Sequence, residues 1–349
     1  MQLNLLTASD ATKLENEIQQ GNNMVLIGHS QPDGDAVGSC LAWATYLREH
    51  FGKQCSIVVP NAFPDFLRWL PEADKIVRYD KHPDAVKAMI EKADTIFCMD
   101  FNDLARTDDI APIVESCQAS IIVIDHHMEP TIPAKQTISF PDLSSTCEIV
   151  FRLVWQLGGF ETLSKKFAVY DYCGMMTDTG GFTYNSSCPE IYFIICQLLT
   201  KGIDKDKIYR NVFNNYSSWA IRLRGYLMSQ KLNVIEDLHA SYYALTSQEM
   251  KDFHFIRGDV EGLVNVPLRI KGLKVSISLR EDDRVKNRIW VSLRSVDDFS
   301  VQDMAARFFN GGGHLNASGG RLNCSIEEAV EITKKAVAFY ADKLTGKKS

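Results

Sequence analysis

The first half of the chain alternates short, continuously apolar runs with helix-like segments. "MVLIG" at 24–28 leads into a segment from Ala36 to Phe51, followed by "CSIVV", "KIVRYD", the amphipathic "PDAVKAMIEKA", "TIFCMD" and "SIIVIDHH". A strand that is apolar on both faces has to be covered on both faces, and helices between such strands provide the cover. The expected class is therefore α/β, with a mostly parallel sheet in the N-terminal domain. In such a sheet the carboxyl ends of neighbouring strands converge on one crevice. Three of the apolar runs exit into Asp or His: His29 after the first, Asp100 after "TIFCM", and Asp125-His126-His127 closing "SIIVIDHH".

A mainly helical stretch follows, roughly 146 to 233. From about 241 the pattern changes to short strand-like segments, "SYYALTS", "LVNVPLRI", "LKVSISLR" and "RIWVSLRS", with helices "VQDMAARFF" and "SIEEAVEITKKAVAFYADKL". This shift predicts a smaller α+β C-terminal domain. The expected limits are 1–200 for the first domain, 201–238 for a helical linker containing "WAIRLRGYLMSQ", and 239–349 for the second. The final "GKKS" is expected to fray.

Composition narrows the function. The 349 residues are enough for two cores, and a net charge of -6 argues against a surface that grips long nucleic acid. The nine cysteines are scattered, odd in number and form no C-x-x-C pair, so neither a zinc knuckle nor a disulfide framework is expected. No signal-like start and no apolar run long enough for a membrane span is seen, which makes the cytoplasm the expected location and a membrane partner unexpected.

Divalent cations that activate water want carboxylates and imidazoles. "HSQPDGDAVGS" at 29–39 offers His29, Asp33 and Asp35, and Asp100, Asp125, His126, His127 and the Asp178 of "MMTDTGGF" extend the set. Each has an ordinary reading when taken singly. Asp33-Gly34 makes a turn, His126-His127 closes a strand, and Asp100 or Asp178 caps a helix. Together they would require an unrelated coincidence at each strand exit, and a metal centre is the simpler reading.

These motifs, in this order, resemble those of the DHH phosphoesterase superfamily, which includes RecJ exonucleases, class II pyrophosphatases, exopolyphosphatases and the nanoRNase/pAp phosphatases. "GGGHLNASGG" at 311–320 resembles the signature of the superfamily's DHH-associated C-terminal domain. The resemblance implies two manganese ions, with magnesium or cobalt as substitutes. His29, Asp33 and Asp100 would hold one, and Asp35, Asp100, His126 and Asp178 the other, with Asp100 bridging. His127 would face the substrate phosphate, Asp125 would orient the imidazoles, and the active-site cleft would lie between the domains.

Gly311, Gly312 and Gly313 before His314 read either as a flexible loop or as bare backbone that lets N–H groups approach a phosphate, with "NASGG" turning to form a further anion nest. Beside the DHH motifs the phosphate reading is preferred. The resemblance also suggests that Arg294 contacts phosphate, with Arg280 and Arg257 as weaker candidates. "EDDRVKNR" at 281–288 reads as a solvated hairpin loop, and Tyr184 as a rim or core tyrosine that could stack on a base.

Without extra oligonucleotide-binding domains, the chain most resembles the nanoRNase/pAp phosphatases. It is expected to hydrolyse short oligonucleotides to mononucleotides, or pAp to AMP. Cyclic or linear diadenylate phosphodiesterase and exopolyphosphatase or pyrophosphatase activity are the nearest alternatives. A single-strand DNA exonuclease is disfavoured by the acidic balance, and a catalytically dead binding module by the complete ligand set. A homodimer remains an option.

Overall fold

The computed structural model describes residues 2–346, so the expected frayed end from 347 on lies outside the described residues. The chain divides into two compact units, one ending at Asn215 and the other beginning at Tyr216.

The first unit runs α1 (Ala8–Gln20), β1 (Asn23–Gly28), α2 (Gly34–Phe51), β2 (Gln54–Val59), β3 (Val77–Arg78), α3 (Pro83–Glu91), β4 (Thr95–Met99), α4 (Ala111–Ser116), β5 (Ser120–Asp125), β6 (Gln136–Ser139), α5 (Thr146–Leu157), α6 (Lys165–Asp178), α7 (Pro189–Thr200) and α8 (Lys205–Phe213). The strand order is β3-β2-β1-β4-β5-β6, and every pairing is parallel. Alternate strand residues enter two separate cores. Leu26, Val59, Phe97 and Ile124 join the α2, α5 and α6 side, while Ile27, Val58, Cys98 and Val123 join Val86, Ile90 and Val114 from α3 and α4. The strands need apolar residues at every position because both faces are covered. The strand order reverses between β1 and β4, so the crevice at their carboxyl ends is where this topology leaves room for a ligand.

Helix α2 is buried continuously from Gly34 to Leu47. Such a helix needs small residues where others cross it. A Cβ on Gly38 would lie 2.8 Å from the Tyr170 carbonyl oxygen, and one on Gly174 would lie 2.2 Å from the Cys147 sulfur. The α2–α6 crossing is therefore set by backbone approach.

The second unit contains α9 (Ser218–Tyr226), β7 (Asn233–Ile235), β8 (Ala240–Leu245), α10 (Ser247–Asp252), β9 (Val275–Glu281), β10 (Arg288–Ser295), α11 (Val301–Phe308), β11 (Gly312–Gly313), β12 (Ala317–Asn323), α12 (Ile326–Phe339) and α13 (Ala341–Thr345). Its sheet has the order β11-β12-β10-β9-β8-β7 and is antiparallel except for β8 with β9. Ile277, Val291 and Leu293 pack with Met304 of α11 and with Ala336 and Val337 of α12.

Several local expectations change. "LVNVPLRI" is not a strand: Leu263–Arg269 forms a 3-10 helix entered through Gly262 at φ 69° and containing Pro267. A proline supplies no N–H to a sheet ladder, and the alternation of apolar residues concealed this. "KIVRYD" contributes only Val77–Arg78, and β6 was not anticipated. "NASGG" is not a turn, since Ala317 opens β12 opposite Arg294. The 201–238 segment is shared between the units. α8 buries Ile208 and Val212 in the first core, and Leu223 and Leu227 join Tyr243 and Met250 in the second.

Asp171 of α6 is fully buried, and neither carboxylate oxygen has a hydrogen-bond partner among the described residues. Burial, with Glu148 adding to it, pushes this carboxyl well above the ordinary range. A pKa raised on folding contributes stability that is complete below the unfolded value and declines as pH rises toward the folded one. Asp171→Asn is therefore expected to be more stable than wild type at pH 7.5. The gap should close toward pH 4 in urea titrations, and a pH-independent difference would refute the buried neutral acid. Gly38→Val is expected to cost about 1–3 kcal/mol through overpacking. An unchanged urea midpoint would show that α2 and α6 can separate at no cost.

Candidate active site

The exit of β1 places His29 beside the start of α2. Its Nδ1 lies 2.8 Å from the Ser30 carbonyl, which can only accept, so Nδ1 carries a proton and Nε2 is the ring nitrogen left to face the carboxylates. That Nε2 is buried without a hydrogen-bond partner and points between Asp100 Oδ2 at 3.5 Å and Asp33 Oδ1 at 3.8 Å. Asp33 caps α2, its Oδ1 accepting from the backbone of Asp35 and Ala36. One residue into the helix, Asp35 is fully buried.

Asp100 leaves β4 at φ 67°, with its N–H donating to the Ile124 carbonyl at 3.0 Å. From the exit of β5, His126 reaches the same space. Its Nδ1 is 3.2 Å from the Leu143 carbonyl, and its Nε2 lies 3.2 Å from Asp178 Oδ2, 3.6 Å from Asp100 Oδ1 and 3.8 Å from Asp35 Oδ2. Asp178 is the last residue of α6. His127 donates through Nδ1 to Asp125 Oδ1 at 2.7 Å.

Three groups of ligand atoms in this unit each fall within 4.8 Å: His29, Asp33 and Asp100; Asp35, Asp100 and His126; Asp100, Asp125 and His127. The first two share Asp100, and Asp178 adjoins the second through His126. All donors are oxygen or imidazole nitrogen, and no cysteine belongs to these groups among the described residues. Such a set suits manganese or magnesium better than thiolate-seeking metals.

The electrostatics have the same requirement. Burial, together with Asp100 and Asp178, drives Asp35 well above the carboxylate range. Asp178 is pushed up to about 6 by burial, with His126 opposing. Burial pulls His29 down, but Asp100 and Asp33 outweigh it and hold the imidazole at about 10. His126 is likewise raised by Asp178 against its burial. The protein alone thus keeps protons at this centre to offset its carboxylates. A dication would replace those protons, because ligands bind a metal in their deprotonated forms. His127 behaves differently: burial, with Arg106 contributing, keeps it well below the usual imidazole value.

The other expected residues belong to the second unit. Arg294 lies in β10 opposite Ala317 and Ser276, with Nη1 on the Leu293 carbonyl at 2.9 Å. The glycine triplet is a built hairpin. A Cβ on Gly311 would meet the Gly319 oxygen at 1.9 Å, and Gly313 sits at φ 141°, while Gly312 would meet nothing within 4 Å. The N–H of Gly311 donates to Ala305 O and that of His314 to Ala317 O, so these two are committed to the fold rather than to an anion nest. The guanidinium of Arg280 lies over the Phe255 ring at 5.6 Å. Arg257 is lowered by its burial and by Arg280.

Two contributors were missed by sequence reasoning. The positive charge of Arg106 acts on His29, Asp33, Asp125 and His127. Thr146 hydrogen-bonds Asp35 and Asp100. The Ser145-x-x-Glu148 spacing, a helix-start pattern, was the available sign that a helix N-terminus lay here.

The N-terminal domain of the DHH family matches residues 23–175. The crystal structure of an exopolyphosphatase-related protein from Bacteroides fragilis is 45% identical, superposes with a TM-score of 0.90, and is covered over 99% of its length by 97% of this chain. The bifunctional oligoribonuclease and PAP phosphatase NrnA of Thermus thermophilus is 27% identical over 311 residues, 88% of this chain and 87% of that protein. Its Bacillus subtilis counterpart is 25% identical over 326 residues, 92% and 96% of the two chains. With its strand-exit carboxylates and imidazoles inside the matched domain and relatives aligned along nearly its full length, the chain belongs to the DHH family of phosphoesterases.

Proposed function

We propose that this chain is a manganese-dependent phosphoesterase that hydrolyses short oligonucleotides to mononucleotides and pAp to AMP. The observation that carries the reading is the pair of ligand groups sharing Asp100. His29, Asp33 and Asp100 would hold one cation and Asp35, Asp100, His126 and Asp178 the other. Two divalent cations supply the Lewis acidity that activates water and stabilises charge on a phosphoryl group, with magnesium or cobalt able to substitute for manganese.

The chain's own groups support that chemistry. Asp125 holds the Nδ1–H of His127, fixing its ring and tautomer. A neutral His127 at the site gains a proton more easily when a phosphate dianion approaches, and then donates to it. Arg106 supplies positive charge toward the same groups. In the second unit, Arg294 and His314 are the proposed phosphate-binding side chains, with Gly311, Gly312 and Gly313 shaping the hairpin and Gly312 giving access to its backbone. A bidentate guanidinium suits phosphate. The NrnA relatives favour nucleotide substrates. The description of the Bacteroides fragilis protein favours polyphosphate as the second reading.

Initial rates with manganese on equal concentrations of pAp, a 5'-phosphorylated dinucleotide, cyclic diadenylate, tripolyphosphate and long single-stranded DNA test the substrate. The expected outcome is preference for pAp and the dinucleotide, and preference for any of the others would overturn it. Asp100→Asn should reduce turnover by more than about 100-fold, beyond the cost of losing an outer contact to a ligand. Activity within tenfold of wild type at saturating manganese would refute a shared carboxylate.

A further inference from the structure

The two proposed metal positions are supported by different parts of the chain. On the first, His29 rests on the carbonyl of its own neighbour, Ser30, and Asp33 on the N–H groups of Asp35 and Ala36. On the second, three ligands are held by the turn that opens α5. The Leu143 carbonyl meets His126 Nδ1. Asp35 accepts from Thr146 N at 2.6 Å through Oδ2 and from Cys147 N at 2.9 Å through Oδ1. The Thr146 hydroxyl donates to Asp100 Oδ1 at 2.8 Å.

That last bond makes the shared carboxylate asymmetric. Asp100 Oδ2 faces His29, while Oδ1 faces His126 and carries the Thr146 bond. A carboxylate can turn about its terminal torsion, and that torsion has broad preferences of its own. The hydroxyl removes this freedom and occupies one lone pair of Oδ1, aiming the other.

The turn is itself fixed from behind. Glu148 Oε2 accepts from Ser144 N at 2.9 Å and from Ser144 Oγ at 2.6 Å, and Arg152 pairs with its other oxygen at 2.5 Å. Ser145, not Thr146, is the helix cap, its side chain accepting from Glu148 N. The Thr146 hydroxyl is fully buried with its residue, yet α5 does not need it to start.

We propose that Thr146 is a positioning residue that tunes the second metal position, formed by Asp35, Asp100, His126 and Asp178, more strongly than the first, which shares only the Asp100 carboxylate with it. The inference rests on the two-metal reading above. Thr146→Val removes the hydroxyl while keeping shape and backbone N–H, and Thr146→Ser restores it. Manganese is titrated calorimetrically into the metal-stripped full chain without substrate, and rates are then measured as a function of manganese.

In wild type, two ions should bind. In Thr146→Val one affinity should fall by about 10–100-fold, typical of losing a partner behind a ligand, with a clearly smaller change in the other. Turnover should drop at limiting manganese and recover at excess, KM for pAp should stay constant, and Thr146→Ser should resemble wild type. Two ions in wild type with unchanged affinities in Thr146→Val, or an equal loss at both positions, would overturn the proposal alone. Fewer than two ions in wild type would overturn the two-metal reading and the proposal with it.

Discussion

The structure is organised around carboxylates held close together away from water. Asp35, Asp100 and Asp125 are each at most 1% exposed, and Asp33 and Asp178 adjoin them. Charges so placed repel strongly in a medium of low dielectric. The fold offsets this with oriented donors: the start of α2 serves Asp33, the start of α5 serves Asp35, and imidazoles stand between carboxylates. Helix N-termini favour anions through their unpaired N–H groups and dipoles. The parallel sheet makes the arrangement available, because the reversal of strand order between β1 and β4 opens the crevice into which His29 and Asp100 emerge.

Much of this centre was legible in the sequence because each of its candidate ligands follows a recognisable strand or ends a recognisable helix. Asp100 and Asp125 stand directly after or at the end of continuously apolar runs, and that local pattern needs no knowledge of the partner. Thr146 gave no such signal. Its significance depends on Asp35 and Asp100, which lie 111 and 46 residues away in the chain, and a threonine near a helix start has an ordinary local explanation.

The second unit was read less well, for reasons that differ by segment. Leu263–Arg269 alternates like a strand, and only Pro267 opposed that pattern. The glycine triplet was read for what bare backbone could offer a phosphate. The structure shows that Gly311 is demanded by the approach of Gly319, a contact between strands that no local reading exposes. The boundary near residue 215 was blurred because α8 and α9 are consecutive short helices that bury apolar residues in different cores.

The backbone at Asp100 narrows what evolution or design could place there. Its φ of 67° lies in the left-handed region, where glycine, asparagine and aspartate are at ease and longer or branched side chains are strained. Of those three, only aspartate brings an anionic group with two oxygens to face the two sides of the centre. Conformation favours aspartate over longer carboxylates and charge favours it over asparagine and glycine, so the two preferences meet in a single residue.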